Sequence, residues 1–493
     1  MRPIFKSLFT GSELARSRLG IWALILGAFA SGCAVGPNYK QPKTNVPGAF
    51  SNAPQSAFTT NASITTWWRE FDDPKLNQLI DLALSTNYDL RIATAHLLEA
   101  RAIRRRTQFD FWPVPNASAG YTKTRFSDAA LFGNTQGGRE QELYDAGFDA
   151  TWELDFFGRV RRSIQASTAD VQSAAAQRND VLVSLISELA RTYFELRGVQ
   201  HELDVARRNA ENQSETLKIT QARLDGGRGT ELDVARARAQ LNSTLAAIPP
   251  LETSIARSIH HLSVLTSQQP NALTTELKDP APIPTLPQLV AISNPEDLLR
   301  RRSDVRTAER QLAATTARIG VEVADLFPRV TFNGRVALQA TSFSGLGAAG
   351  SDAYFFGPRI NWAALDLGHV RARIQAANAR TEAALAMYEK TVLTSLEETE
   401  NALVEFGREA ARRDFLDESA KASETAAKLA RQRFDNGATD FLTVLDAERV
   451  MLEAQSQLAQ SQTRTATALI AVYKALGGGW EAPYSEKQAS AGH

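Results

Sequence analysis

Two hydrophobic periods alternate along this chain. Over residues 144–154, Tyr144, Ala146, Phe148, Ala150, Trp152 and Leu154 fall on one face, and Asp145, Gly147, Asp149, Thr151 and Glu153 on the other. Residues 329–340 repeat the pattern, with Val330, Phe332, Val336 and Leu338 set against Arg329, Thr331, Asn333, Arg335 and Gln339. Residues 116–123 and 354–364 are weaker copies, the second carrying Phe356, Ile360 and Trp362 against Arg359 and Asn361. A period of two held over about ten residues predicts strands with one apolar and one polar face. A soluble sandwich has such strands. So does a membrane barrel, apolar toward lipid and polar toward its lumen.

Elsewhere the period is helical. From residue 158 to about 224, and from 368 to about 434, there is no proline. Apolar residues such as Val181, Leu185 and Leu189, or Val392, Leu396 and Leu403, recur at helical spacing with charges between them. About 65 residues at 1.5 Å rise predict helices roughly 100 Å long. Helices of that length need coiled-coil packing against a neighbour. Each ends at a glycine-containing turn, Gly226-Gly227-Arg228-Gly229 or Asn436-Gly437, where glycine and asparagine suit a left-handed cap, and a second helix then runs back.

The chain is written twice. Asp89-Leu90-Arg91 with Trp112-Pro113 returns 215 residues on as Asp304-Val305-Arg306 with Phe327-Pro328. Gly158-Arg159-Val160-Arg161 returns 210 residues on as Gly368-His369-Val370-Arg371, and Arg223-Leu224-Asp225-Gly226-Gly227 as Arg433-Phe434-Asp435-Asn436-Gly437. The halves, 67–275 and 295–480, each predict a helix, a β-hairpin (about 113–154 and 329–365) and a long helical hairpin. Between them, 276–294 is a linker whose Pro280, Pro282, Pro284 and Pro287 forbid a regular helix. Residues 33–66 read as an extended N-terminal segment and 481–493 as a flexible tail.

Of 493 residues, 55 are basic and 55 acidic, which removes the electrostatic footprint of a nucleic-acid binder. The longest apolar stretch, residues 19–30, is too short to span a bilayer, which needs about 20 residues. A helical membrane bundle is excluded. Arg2, Lys6, Arg16 and Arg18 precede the apolar run 21–30, and Ser31 and Gly32 lead to Cys33, so residues 1–32 read as a signal peptide. Cys33 is the only cysteine, which excludes an internal disulfide or a CxxC site. Ala30-Ser31-Gly32-Cys33 resembles a bacterial lipobox, which implies that Cys33 begins the mature protein and carries acyl chains.

Gly345-Leu346-Gly347-Ala348-Ala349-Gly350 matches a dinucleotide-binding string, but a strand follows it where that motif needs a helix, so it reads as a hairpin loop. The six histidines form no recognised ligand spacing, and no GxSxG elbow exists. No catalytic residue, metal or cofactor is nominated, and the chain does not read as an enzyme.

Gly36-Pro37-Asn38-Tyr39, Trp68-Arg69-Glu70-Phe71 and Trp152-Glu153-Leu154-Asp155-Phe156-Phe157-Gly158 carry a resemblance to a family. Leu298-Leu299-Arg300-Arg301-Arg302-Ser303-Asp304 and Val472-Tyr473-Lys474-Ala475-Leu476-Gly477-Gly478-Gly479-Trp480 extend it across residues 33–480. The chain resembles the TolC/OprM-type outer-membrane efflux factors, in their lipoprotein (NodT-like) branch. The resemblance implies an α+β membrane protein whose four strands join those of two other copies in a twelve-stranded barrel. The long helices would form a periplasmic α-barrel in a homotrimer that meets a periplasmic adaptor (membrane fusion protein) and an inner-membrane pump. Its function would be an exit duct for small toxic molecules across the outer membrane. Physics points the same way, because four strands cannot close and open edges in lipid leave backbone groups unsatisfied. Two other readings stay open: a periplasmic coiled-coil scaffold or adaptor, and a protein-secretion duct of the same fold.

The resemblance also implies adaptor docking at the two helical turns, through Arg223, Gly227, Arg433 and Gly437. It further implies a periplasmic gate at Arg433 and Asp446. The repeats disagree at Asp446, which falls opposite Arg236 of the first half.

Overall fold

The computed structural model describes residues 34–44, 46–51, 58–59, 65–127, 139–287, 290–291 and 294–480. The expected signal peptide at 1–32, the expected acylation site Cys33 and the expected tail at 481–493 lie outside them.

In chain order the elements are β1 (Phe58–Thr59), α1 (Pro74–Thr86), α2 (Tyr88–Phe109), β2 (Val114–Arg125), β3 (Glu140–Leu154) and α3 (Arg159–Asp225). There follow α4 (Glu231–Leu265), α5 (Thr274–Leu277), β4 (Val290–Ala291), α6 (Pro295–Arg301) and α7 (Ser303–Ala324). The last are β5 (Arg329–Ala340), β6 (Asp352–Asn361), α8 (Leu367–Asp435) and α9 (Phe441–Ala475). The chain divides into two compact units. The first takes Met1–Pro42, Leu97–Ser173 and Ala308–Tyr388, and the second Lys43–His96, Ala174–Thr307 and Glu389–His493. Each unit draws on both halves of the duplicated sequence, because the two hairpins meet in one sheet.

That sheet, in the first unit, is antiparallel with strand order β2-β3-β5-β6. Its register stacks the alternating faces across all four strands. Leu154 lies opposite Val330 and Val330 opposite Ile360; Trp152, Phe332 and Pro358 line up likewise, as do Phe148, Val336 and Tyr354. The apolar face is not a core. Phe148 is 70% exposed, Tyr354 74% and Ile360 69%. Gly334 lies on this face beneath Phe356, whose ring would stand 2.7 Å from an added Cβ. The aromatic covers the bare backbone.

The band has definite ends. Tyr121 and Tyr144 pair at 4.8 Å between ring centroids. Beyond them the same face carries Lys123 opposite Glu142 and Arg125 opposite Glu140, each ion-paired at 3.1 Å. From Tyr144 to Leu154, at about 3.3 Å per residue and a tilt of about 40°, the band is roughly 25 Å tall. That is the height of a barrel's apolar belt, with tyrosines at its rim. The expected strand limits therefore need correcting. β3 begins at Glu140 and β2 runs to Arg125 because the backbone ladder continues where the apolar alternation stops. The last strand ends at Asn361, short of 364, and Trp362 leaves the ladder to donate its indole N–H to the Leu326 carbonyl at 3.0 Å.

In the second unit the Trp67–Phe71 turn plugs a core of α1, α3, α8 and α9 residues that includes Leu76, Ile80, Leu189, Phe194, Leu403 and Leu469. Trp67 stacks on Tyr473 at 4.9 Å. Tyr473 donates to Glu70 at 2.9 Å and Tyr193 to Asp73 at 2.8 Å, so these buried hydroxyls are satisfied. Asp73 also caps α1, accepting from the Lys75 and Leu76 amides ahead of Pro74. Arg302, from the arginine string, joins Asp304 at 2.7 Å, Glu398 of α8 at 2.6 Å and the Ala475 carbonyl at the end of α9 at 3.0 Å. Helices α3 and α8 contribute to both units and run 67 and 69 residues, close to the lengths their proline-free stretches predict.

The face assignment is testable. Phe332→Arg places a charge at the centre of the apolar band, at a cost of about 2–4 kcal/mol if it faces hydrocarbon. Thr331→Arg places one on the polar face, beside Glu153 and Arg359. Folded, heat-modifiable oligomer recovered from membranes should fall for the first and persist for the second. Equal recovery contradicts the assignment.

Candidate functional site

The sheet's polar face is cross-linked by hydrogen bonds and ion pairs, with Nε of Arg335 left unpartnered within the chain. Arg335 grips Asp145, which also accepts from Gln339 at 3.2 Å. Thr151 donates to Asn333 at 3.0 Å, and Asn116 to Asp149 at 3.4 Å. At the foot of the strand Glu153 receives both Nε and Nη2 of Arg159, at 2.7 and 2.5 Å. Such a surface is suited to water, and the opposite face is suited to hydrocarbon. Among the described residues no helix is long and apolar enough to cross a membrane.

The segment after Cys33 is held tightly in the first unit. Val35 donates its amide to the Phe157 carbonyl at 3.1 Å. The buried Arg162 guanidinium donates to the carbonyls of Val35 at 3.0 Å and Gly36 at 3.1 Å, and to the Asn38 side chain at 2.9 Å. A side chain at Gly36 would meet the Gly320 backbone at 2.5 Å, and one at Gly158 would meet Ala34 at 2.6 Å. Both glycines have positive φ, so conformation and close approach require them together. The chain emerging from Cys33 therefore sits against residues 157–158, three and four residues beyond the end of β3. Neither Arg162 nor its role was legible in the sequence, where it is one of several arginines.

In the second unit the two helical turns are built alike. Gly227 (φ 71°) and Gly437 (φ 74°) terminate α3 and α8 in the left-handed conformation. Arg228 donates to the Arg223 carbonyl and Ala438 to the Arg433 carbonyl, both at 2.8 Å, closing six-to-one Schellman bonds. Thr230 then opens α4 through a capping box with Asp233, and Asp440 caps α9 by accepting from Thr443.

The matched arginines part company here. Arg223 turns inward: its guanidinium lies 3.9 Å from the Phe434 ring centroid and donates to the Phe434 carbonyl at 3.2 Å. Arg433 is exposed and makes no ion pair among the described residues. The structure does not bring Arg433 and Asp446 together within one chain. Asp446 is exposed and pairs with Arg449, one turn along α9, at 2.9 Å. The residue that sequence reasoning missed is Glu448. It adjoins Asp446 in the same string, yet is 6% exposed.

A membrane-facing four-stranded sheet on two long helical hairpins defines a class: channels whose barrel is assembled from several chains. Comparison with known proteins names it. The sequence profile of the outer membrane efflux protein family matches residues 79–267 and again 294–478, one stretch in each half. Nodulation protein T of Rhizobium leguminosarum bv. viciae is 30% identical over 466 residues, 94% of each chain. The toluene efflux pump outer membrane protein TtgI of Pseudomonas putida is 31% identical over 473 residues, 94% of this chain and 98% of the other. Among solved structures, the outer-membrane channel OprN superposes with a TM-score of 0.85 at 41% identity, over 91% of this chain and all of that one. The open-state MtrE channel of Neisseria gonorrhoeae gives 0.80 at 28% identity, over 91% and 99%. The chain belongs to the outer membrane efflux protein family. It is an outer-membrane exit duct of a tripartite efflux system, and its sheet is one third of a trimeric twelve-stranded barrel.

The turns yield a prediction. Nothing lies within 4 Å of a Cβ built at Gly227 or Gly437, so valine there is opposed by φ alone, at about 1–3 kcal/mol each. Gly227→Val with Gly437→Val should abolish export while leaving a trimer of normal mass. Loss of the trimer would show that the turns serve folding instead.

Proposed function

We propose that the trimer passively conducts small toxic molecules delivered by a periplasmic adaptor and an inner-membrane pump. The observation that carries this is the two-faced sheet, with an exposed aromatic face of membrane height backed by a hydrogen-bonded polar face. A scaffold or adaptor confined to the periplasm has no use for an aromatic band of that height. The relatives named for toluene and solvent efflux favour small molecules over proteins as cargo.

The turns at 223–229 and 433–439 form the adaptor-docking end, six similar sites around the trimer. Arg433 and Asp446 form the periplasmic constriction. Both are exposed and unpaired with each other within the chain, which supports partners on neighbouring protomers. Three copies of Asp446 near a threefold axis repel one another unless a guanidinium intervenes. An adaptor that competes for the tips shifts the population toward an open aperture.

Planar-bilayer conductance of the purified trimer tests the channel and its gate together. The wild type should form small, discrete, cation-preferring pores. Arg433→Ala with Asp446→Ala should raise conductance several-fold, and Asp446→Ala alone should reduce cation preference. Absence of pores would contradict the duct. Pores unchanged by either variant would place the constriction elsewhere.

Cys33 is the proposed acylated N-terminus of the mature protein. The clamp on residues 35–38 supports this, because it holds the following segment beside the foot of β3, at the edge of the apolar band. Stable anchoring takes more than one acyl chain or signal, and the barrel supplies a stronger one. Mass spectrometry of the mature N-terminal peptide should find lipid on Cys33, and Cys33→Ser should abolish it. An unmodified or differently placed N-terminus would contradict the proposal.

A further inference from the structure

The second half of the duplicated sequence carries a buried carboxylate that the first half lacks. At the 210-residue offset, Glu448 of α9 corresponds to the exposed Arg238 of α4. Its partners break the duplication too: Thr216 of α3 corresponds to Ala426, and Arg431 of α8 to Gln221. These three residues come from both helical hairpins, so the group ties the second hairpin (α8 and α9) to the first at α3.

The geometry is incomplete. Thr216 donates its hydroxyl to Oε1 of Glu448 at 3.2 Å, and Arg431 approaches the same oxygen only to 3.6 Å. The other oxygen, Oε2, is buried with no hydrogen-bond partner within the chain. The seam around it is polar as well. Asn209, Gln213, Thr216 and Thr220 of α3, spaced four, three and four residues apart, are all buried at positions a coiled coil fills with apolar residues. Asn209 donates to Gln455 of α9 at 3.1 Å, and Gln213 leaves its carbonyl oxygen unpartnered. Toward the turn the packing becomes apolar, with Ala237, Ala430, Phe434, Phe441, Val444 and Leu445 in one cluster. A polar seam next to an apolar tip is the part of the bundle that separates most cheaply.

We propose that Glu448 is a proton-controlled latch between the two hairpins: protonated it holds α9 against α3, and ionised it loosens that seam. The proposal rests on the gate reading above for its consequence, but its own evidence is the seam. The charged and polar groups facing the carboxyl are Arg431 from α8 and the Thr216 hydroxyl from α3. The nearby charges on α9, Asp446 and Arg449, are exposed and paired with each other. Burial raises the carboxyl's pKa above the ordinary glutamate value, and Arg431 followed by Thr216 pulls it part of the way back. A carboxyl with raised pKa in the packed seam binds its proton there more tightly than in the parted one. The seam is therefore held most firmly at acidic pH and loses that contribution as pH rises through the raised value.

Hydrogen exchange of the full-length trimer in detergent reads the seam directly. Amides of residues 209–220 and 445–455, corrected for intrinsic rates, should open several-fold more often as pH rises from about 5 to 8, with tenfold per pH unit the limit for one proton. Glu448→Gln should flatten the profile at the protected level. Arg431→Gln removes the charge favouring ionisation and should move the midpoint to higher pH without flattening it. A wild-type profile that is flat, or one that Glu448→Gln leaves unchanged, overturns the latch. Should Glu448→Gln fail to assemble, an Arg431→Gln midpoint that stays put or falls overturns it equally. Conductance measured in parallel separates the two claims. A seam that responds while the pore does not would preserve the latch and remove the gate from this tip.

Discussion

In hydrocarbon every backbone N–H and C=O needs a partner from the protein, and each one left bare costs several kcal/mol. The antiparallel sheet of this chain has four strands, with β2 and β6 each paired on one side only among the described residues. Its apolar face is aromatic and largely exposed, and forms no core among the described residues. Both facts are liabilities for a monomer in water and are resolved together when three sheets close in a bilayer. Oligomerisation is thus a requirement of the strand count, and the trimer of the family meets it.

Duplication explains much of the remainder. Each half contributes one hairpin to the sheet and one long helical hairpin, and the two turns repeat the same Schellman geometry almost bond for bond. Function is expected where the copies diverge. Arg223 is spent on the Phe434 ring while Arg433 is left exposed. Asp446 and Glu448 stand where the first half has Arg236 and Arg238. The second hairpin carries acidic groups at two positions where the first is basic.

The sequence was most legible where one physical force acts alone. Alternation identified the faces of three of the sheet's four strands, because burial in lipid and exposure to water act on alternate residues. The absence of proline placed the long helices to within about a residue at each end. Strand limits were less legible. At Glu140–Leu143 and at Thr124–Arg125 the ladder continues past the membrane, and hydrogen bonding leaves no trace in hydropathy. Least legible were contacts between residues distant in sequence. Nothing in the string at 159–162 separates Arg162, which holds the N-terminal segment, from Arg159 and Arg161, which pair with Glu153 and Asp155. Nothing in Leu445-Asp446-Ala447-Glu448 shows that the first carboxylate is wet and the second buried.

The central claim is that the two open edges are closed by other copies of this chain. Hydrogen–deuterium exchange of the protein in native outer-membrane vesicles tests it most directly, strand by strand. Outward-facing amides of β2 and β6, which have no partner within the chain, should exchange as slowly as those of the β3–β5 ladder. Rapid exchange confined to those edge amides, with β3 and β5 protected, would contradict the account.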